Sequence, residues 1–125
     1  MKEFDLQRFT VQLLEVCAAP HILWFAVPNG ELRTKRTGAR LKAMGVRAGV
    51  ADIAMVLPGG IAAFLELKAG KKGRQSAAQV SFQVQAKAAG ALYAVAASPE
   101  QVMATLARWG AVRRHTLPIL LEAAS

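Results

Sequence analysis

Apolar residues recur at spacings of three and four near the start of the chain, at Leu6, Phe9, Leu13 and Cys17. One stripe at that period predicts a helix over residues 4–17, and Pro20 ends it. Glu3 and Gln7 lie one turn apart on a neighbouring face at its N-terminal end. The pattern then changes. Residues 21–27 (His-Ile-Leu-Trp-Phe-Ala-Val) are dense in branched and aromatic side chains and predict a buried strand, closed by the turn Pro28-Asn29-Gly30. A short basic helix is predicted over Arg33–Met44 with Gly45 as its stop, and the loop 45–49 delivers the chain to Asp52.

The clearest local pattern follows. Residues 51–57 read as a strand, Pro58-Gly59-Gly60 as a turn, and residues 61–68 as the returning strand. Side chains two apart on a strand share a face, so Glu66 and Lys68 point the same way, roughly 7 Å apart along the chain. If the turn is three residues long, Leu57 faces Ile61 and Asp52 faces Glu66, and directly paired residues share a face too; a turn one residue shorter or longer shifts this by one and leaves Asp52 at the mouth of the pair. Two carboxylates and one ammonium then converge on one spot, which is the chemistry of a divalent-metal site with a lysine beside it.

Beyond the hairpin, residues 69–75 form a Gly-rich basic loop that lacks the spacing of a phosphate-binding P-loop. It reads as a contact to nucleic-acid backbone. Ser76 caps a helix that runs to Ala89 and stops at Gly90; residues 91–97 are a second short buried strand. Ser98-Pro99 opens a final helix with Val102, Leu106 and Trp109 as its core stripe and Gly110 as its end. The order α-β-α-β-β-α-β-α predicts an α/β fold, a mixed central sheet flanked by helices. Residues 1–110 make one domain, and 111–125 a tail that packs on the core or on a second subunit.

Composition narrows the function. No apolar run is long enough to span a bilayer, and the N-terminus lacks the pattern of a signal peptide. The single Cys17 falls on the apolar helix stripe, so it reads as a buried hydrophobe in a reducing, cytoplasmic compartment. With one Cys and His21 and His115 far apart, zinc ligation is not expected. The chain carries 16 Lys and Arg against 8 Asp and Glu, a net charge of +8. Arg33, Lys35, Arg36, Arg40, Lys42, Arg47, Lys68, Lys71, Lys72 and Arg74 crowd the middle third, where only Asp52 and Glu66 are prominent acids. A basic surface around paired acids suits a phosphodiester substrate: the cations neutralise the backbone while the acids hold a metal against one phosphate.

Asp52 with Glu66-Leu67-Lys68 resembles the PD-(D/E)xK nuclease signature. Its surroundings are more specific. Pro28-Asn29-Gly30, Gly45, Gly49-Val50-Ala51-Asp52, Leu65-Glu66-Leu67-Lys68, Ser76-x-x-Gln79, Gly90 and Trp109-Gly110 together resemble the virus-type replication-repair nuclease (VRR-NUC) family. The similarity runs from Glu3 to Gly110, with Ala51 standing where the family usually has Pro.

The resemblance implies a restriction-endonuclease-like core and a Mg²⁺- or Mn²⁺-dependent DNA endonuclease. Stand-alone members, often bacterial or phage-encoded, act on branched DNA, particularly four-way (Holliday) junctions, as homodimers. In that reading Asp52 and Glu66 are metal ligands, the Leu67 carbonyl adds an oxygen, and Lys68 orients or helps deprotonate the attacking water. No organic cofactor is needed. The family also places an acid of the first helix at the site, here Glu3 by alignment on Gln7, with Asp5 and Glu15 as competitors. It puts the glutamine matching Gln79 near the catalytic pocket, although Ser76-x-x-Gln79 is equally a capping box. Arg33, Lys35, Arg36, Arg40, Lys42, Arg47, Lys71, Lys72 and Arg74 are the expected nucleic-acid contacts. The competing readings are a non-catalytic nucleic-acid-binding module that kept the fold, and a flap- or restriction-type nuclease.

Overall fold

Eight elements follow one another in a computed structural model of the chain: α1 (Glu3–Cys17), β1 (Leu23–Ala26), α2 (Lys35–Ala43), β2 (Ile53–Leu57), β3 (Ile61–Leu67), α3 (Ala77–Ala88), β4 (Leu92–Ala96) and α4 (Pro99–Arg108). The structure describes residues 1–28, 35–70 and 74–113, with the side chains of Lys35 and Arg36 also outside the description. Type and order agree with the periodicity, because each element carries its own apolar period and its own cap or turn.

The strands form one sheet in the order β1-β2-β3-β4. Both β1–β2 and β2–β3 are antiparallel, while β3 and β4 run parallel. A parallel pair needs a crossover, and α3 supplies it over one face of the sheet. Helices α1 and α4 pack on each other and on the opposite face. That second face holds the main core, where alternate strand residues Ile53, Met55, Ala63, Leu65 and Leu67 meet Leu6, Leu13, Leu14, Val102 and Leu106. Cys17 is buried among them. The chain past α4 joins the same unit, with Ala111 and Val112 buried and Arg113 N–H donating to Cys17 O at 2.8 Å. Residues 114–125 of the expected tail lie outside the described residues.

Helix α3 covers the other face over β3 and β4. Phe82 meets Phe64 edge-on at 5.0 Å between ring centres and lies 6.1 Å from Tyr93. Farther along this face, β1 is a sheet edge, with Leu23 61% and Phe25 50% exposed. The expectation that β1 and β4 are both buried strands is therefore corrected. Both are edges, and Leu92 and Val95 of β4 are also exposed. Apolar density alone does not separate an edge strand from a central one, since that depends on which neighbours the tertiary fold supplies.

Candidate active site

The site grows out of the β2–β3 hairpin. Pro58-Gly59-Gly60 turns the chain with both glycines at positive φ (86° and 76°), a conformation that side-chain-bearing residues adopt only with strain. The turn fixes the register from Leu57↔Ile61 to Ile53↔Leu65. One further step sets Asp52 beside Glu66, on the sheet face that α3 covers. At that step the ladder gives way to a side chain, as the Leu67 N–H donates to Oδ2 of Asp52 at 2.7 Å. An extended residue directs its N–H and C=O to the same flank of the strand, so the Leu67 carbonyl faces the Asp52 side as well.

Glu66 is completely buried. Its Oε1 accepts from the Tyr93 hydroxyl at 2.6 Å and from Gln75 Nε2 at 3.1 Å. Gln75 Nε2 also donates to Oε1 of Gln83 at 2.7 Å. Oε2 of Glu66, equally buried, has no hydrogen-bond partner among the described residues. A bare buried carboxylate oxygen is costly, and native structures rarely keep one without an ion, water or function to answer it.

Burial pushes the Asp52 carboxyl above its ordinary value of 3.8. The Leu67 N–H draws it back down, the charges of Glu66 and Glu3 raise it, and Lys68 lowers it. Those interactions bring the expected group together in one field: Asp52 and Glu66 from the hairpin, Lys68 just past the end of β3, and Glu3 from the first turn of α1. Burial, then the bond to Glu66, push the Tyr93 hydroxyl well above its ordinary value of 10, so it stays protonated as a donor.

Gln79 sits in the capping box of α3. Its Oε1 accepts from Ser76 N–H at 2.8 Å, and its own N–H donates to Ser76 Oγ at 3.2 Å. The glutamine on Glu66 is Gln75 instead. Gln79 and Gln83 are four apart on α3 and share one side of it, Gln75 bonds to Gln83 from just ahead of the helix, and the Gln79 Nε2 makes no hydrogen bond among the described residues.

The basic residues divide. Arg40, Lys42 and Arg74 are exposed, and Arg74 adjoins Gln75 in the chain. Arg47 is exposed but already engaged, with Nη1 2.7 Å from Gln85 Oε1 and its guanidinium 5.4 Å from the Phe82 ring centre. Arg33, Lys71 and Lys72, and the side chains of Lys35 and Arg36, lie outside the described residues.

Two solved structures share this architecture. One, described as "VRR_NUC domain protein", superposes with a TM-score of 0.71 at 17% identity, covering 87% of this chain and 88% of its own. Another, described as "VRR_NUC domain", gives 0.58 at 20% identity over 85% and 94%. The chain has the VRR-NUC fold. No protein-family profile and no curated protein sequence matches it. At such identities the VRR-NUC likeness establishes architecture, and the chemistry must come from the side chains themselves.

Among the described residues, no three His, Cys, Asp or Glu side chains gather closely enough to hold a metal by themselves. The donors present are two carboxylates and a backbone carbonyl, all hard oxygens. That set fits a cation such as Mg²⁺, which keeps several waters of its own, and the bare Oε2 of Glu66 is where such a cation is most needed. Tyr93, Gln75 and Gln83 escaped the sequence reading. One signal was available: Tyr93 is the only tyrosine in the chain and lies in an apolar strand, where a hydroxyl requires a partner.

Proposed function

We propose that this chain is a divalent-metal-dependent endonuclease that hydrolyses phosphodiester bonds in branched DNA, four-way junctions foremost, and works as a homodimer. The observation that carries the reading is the completely buried Glu66 with its unpartnered Oε2, in the same field as Asp52 and Lys68. The VRR-NUC fold supports it. A homodimer places two sites about a two-fold axis, which matches a junction with two equivalent strands to cut.

Asp52, Glu66 and the Leu67 carbonyl would hold Mg²⁺ or Mn²⁺, which when bound lowers the pKa of a water and offsets charge on the phosphate. Lys68 orients the attacking water and answers the negative charge that builds on the phosphate oxygens. Tyr93 and Gln75 hold Glu66 from behind, and the Leu67 N–H holds Asp52. Glu3 adds a third negative charge at the rim. Gln79 keeps Nε2 as a donor toward the substrate while its Oε1 caps α3. Arg40, Lys42 and Arg74, with Arg33, Lys35, Arg36, Lys71 and Lys72, bind the DNA backbone through its charge.

Labelled four-way junction, flap and linear duplex DNA, incubated with Mg²⁺, with Mn²⁺ or with chelator, test this reading. Paired nicks confined to the junction and abolished by chelator are expected. Binding without cutting in either metal would leave a nucleic-acid-binding module. Light scattering on the eluting protein tests the dimer, and a mass of one chain would remove it.

A further inference from the structure

Among the described residues, both donors that reach the Glu66 carboxylate land on the same oxygen, Oε1, while Oε2 is left bare at full burial. A buried carboxylate with a purely structural role lowers its cost by sharing donors between its two oxygens. Here the sharing is refused, and the refusal is built in. Register places Tyr93 opposite Phe64 on the parallel strand, one same-face step before Glu66 and its partner Val95. The Phe82 ring centre lies 6.1 Å from that of Tyr93, and the Tyr93 hydroxyl reaches along that face to the acid at 2.6 Å. The amide of Gln75 is aimed as well, because Gln83 Oε1 accepts from the same Nε2 that donates to Glu66. An amide whose nitrogen is bonded at two acceptors cannot turn its oxygen toward the carboxylate without losing both bonds.

We propose that Tyr93 and Gln75 are positioning residues that fasten Oε1 of Glu66 so that Oε2 is presented to a divalent cation. The inference rests on the metal-dependent reading above and deepens it, assigning the orientation of one ligand to side chains outside the Asp52…Glu66-x-Lys68 pattern. Outer partners of metal ligands set ligand geometry and basicity, and their loss typically weakens metal affinity ten- to a hundredfold.

Mn²⁺ binding to the full chain without DNA, read as loss of the free-ion electron paramagnetic resonance signal, tests this apart from cutting. Tyr93→Phe removes the hydroxyl and keeps the ring. It is expected to raise the Mn²⁺ dissociation constant about ten- to a hundredfold, and Gln75→Ala to raise it in the same direction by less. Phe82→Leu disturbs the aromatic packing and spares the hydroxyl, so its constant should stay within about twofold of wild type. In a Glu66→Gln background, Tyr93→Phe should change nothing further, because the oxygen it served no longer binds as a charged ligand.

Equal affinity of wild type and Tyr93→Phe would overturn the positioning role and leave the nuclease reading standing. So would a Phe82→Leu loss as large as that of Tyr93→Phe, which would trace the effect to packing. Absence of Mn²⁺ binding by wild type would overturn both. Circular dichroism confirms that each variant folds, and Gln75→Ala carries the test should Tyr93→Phe fail to.

Discussion

The Leu67 N–H donates to Oδ2 of Asp52 across 2.7 Å, so a side chain takes over from the β2–β3 ladder at the step where the site begins. The bond holds Asp52 partly buried beside Glu66, and burial raises the Asp52 carboxyl above 3.8. The folded chain therefore takes up this proton at a higher pH than the unfolded chain. Below the unfolded value the group is neutral in both states and contributes no penalty. As pH rises through the higher folded value, the charge is penalised and stability falls by that contribution.

With chelator present, Asp52→Asn keeps an oxygen for the Leu67 N–H and removes the charge. It is expected to melt above wild type at pH 7, with the gap closing toward pH 4. Mn²⁺ should reverse the order, since a ligand at a hundred times its dissociation constant stabilises the form that binds it by about 2.7 kcal/mol. Melting curves across pH, with and without metal, check both halves. A wild type that melts above the variant in chelator at pH 7 would contradict the expectation.

Glu66 on β3 and Lys68 just past its end both act on the charge of Asp52, and in the proposed function both serve one phosphate. Lys68→Met is expected to slow junction cutting by about a hundred- to a thousandfold, the usual cost of losing one group that meets developing charge. Glu66→Gln should abolish detectable cutting. In both variants DNA affinity should remain within about threefold of wild type, because the backbone contacts are carried by other cations. Single-turnover cutting beside a gel-shift titration separates the two quantities.

What the sequence made legible, and what it did not, follows from range. The hairpin register was legible because three residues, two of them Gly59 and Gly60 at positive φ, set it locally. Asp52, Glu66 and Lys68 could be brought together on paper for that reason. Tyr93 could not, because its approach to Glu66 depends on the parallel register of β3 with β4, and the whole of α3 separates those strands in the chain. The exposure of Leu23 and Phe25 was hidden for a similar reason, as nothing local says that β1 is a sheet edge.

Gly49 joins the site to α3. It has φ +81°, and a Cβ there would lie 2.7 Å from the Gln79 backbone nitrogen, with the Ala78 carbonyl closer still. Gly49→Ala therefore combines left-handed strain with a collision against a helix backbone that cannot step aside. A loss of about 3 kcal/mol or more is expected from the two effects together. Gly59→Ala meets nothing within 4 Å and carries only the strain, about 1–2 kcal/mol. Urea denaturation of both variants measures the difference, and equal losses would show that α3 is not pressed against Gly49.

The basic loop carries an electrostatic prediction. Replacing Lys71, Lys72 and Arg74 together by Ala should weaken DNA binding and flatten its dependence on salt. Each phosphate contact contributes a slope of about 0.9 on duplex DNA, so loss of all three should reduce the slope by roughly 2.7. Affinity measured from 50 to 300 mM KCl gives the slope directly. An unchanged slope would remove the loop from the interface.

In the proposed function Gln79 divides one amide between two tasks, and the tasks can be separated. Its Oε1 completes the cap on Ser76, and its Nε2 would serve the substrate. Gln79→Ala loses both but keeps the backbone bond to Ser76 Oγ, and is expected to cost about 0.5–1 kcal/mol of stability, the usual net worth of one hydrogen bond. Gln79→Glu preserves the capping box, since glutamate serves at this position as well as glutamine. Its stability should stay within about 0.5 kcal/mol of wild type. The nitrogen donor, however, becomes a second negative oxygen facing the phosphate, so cutting should fall to the level of Gln79→Ala or below. A Gln79→Glu variant that is both stable and fully active would confine this glutamine to the cap.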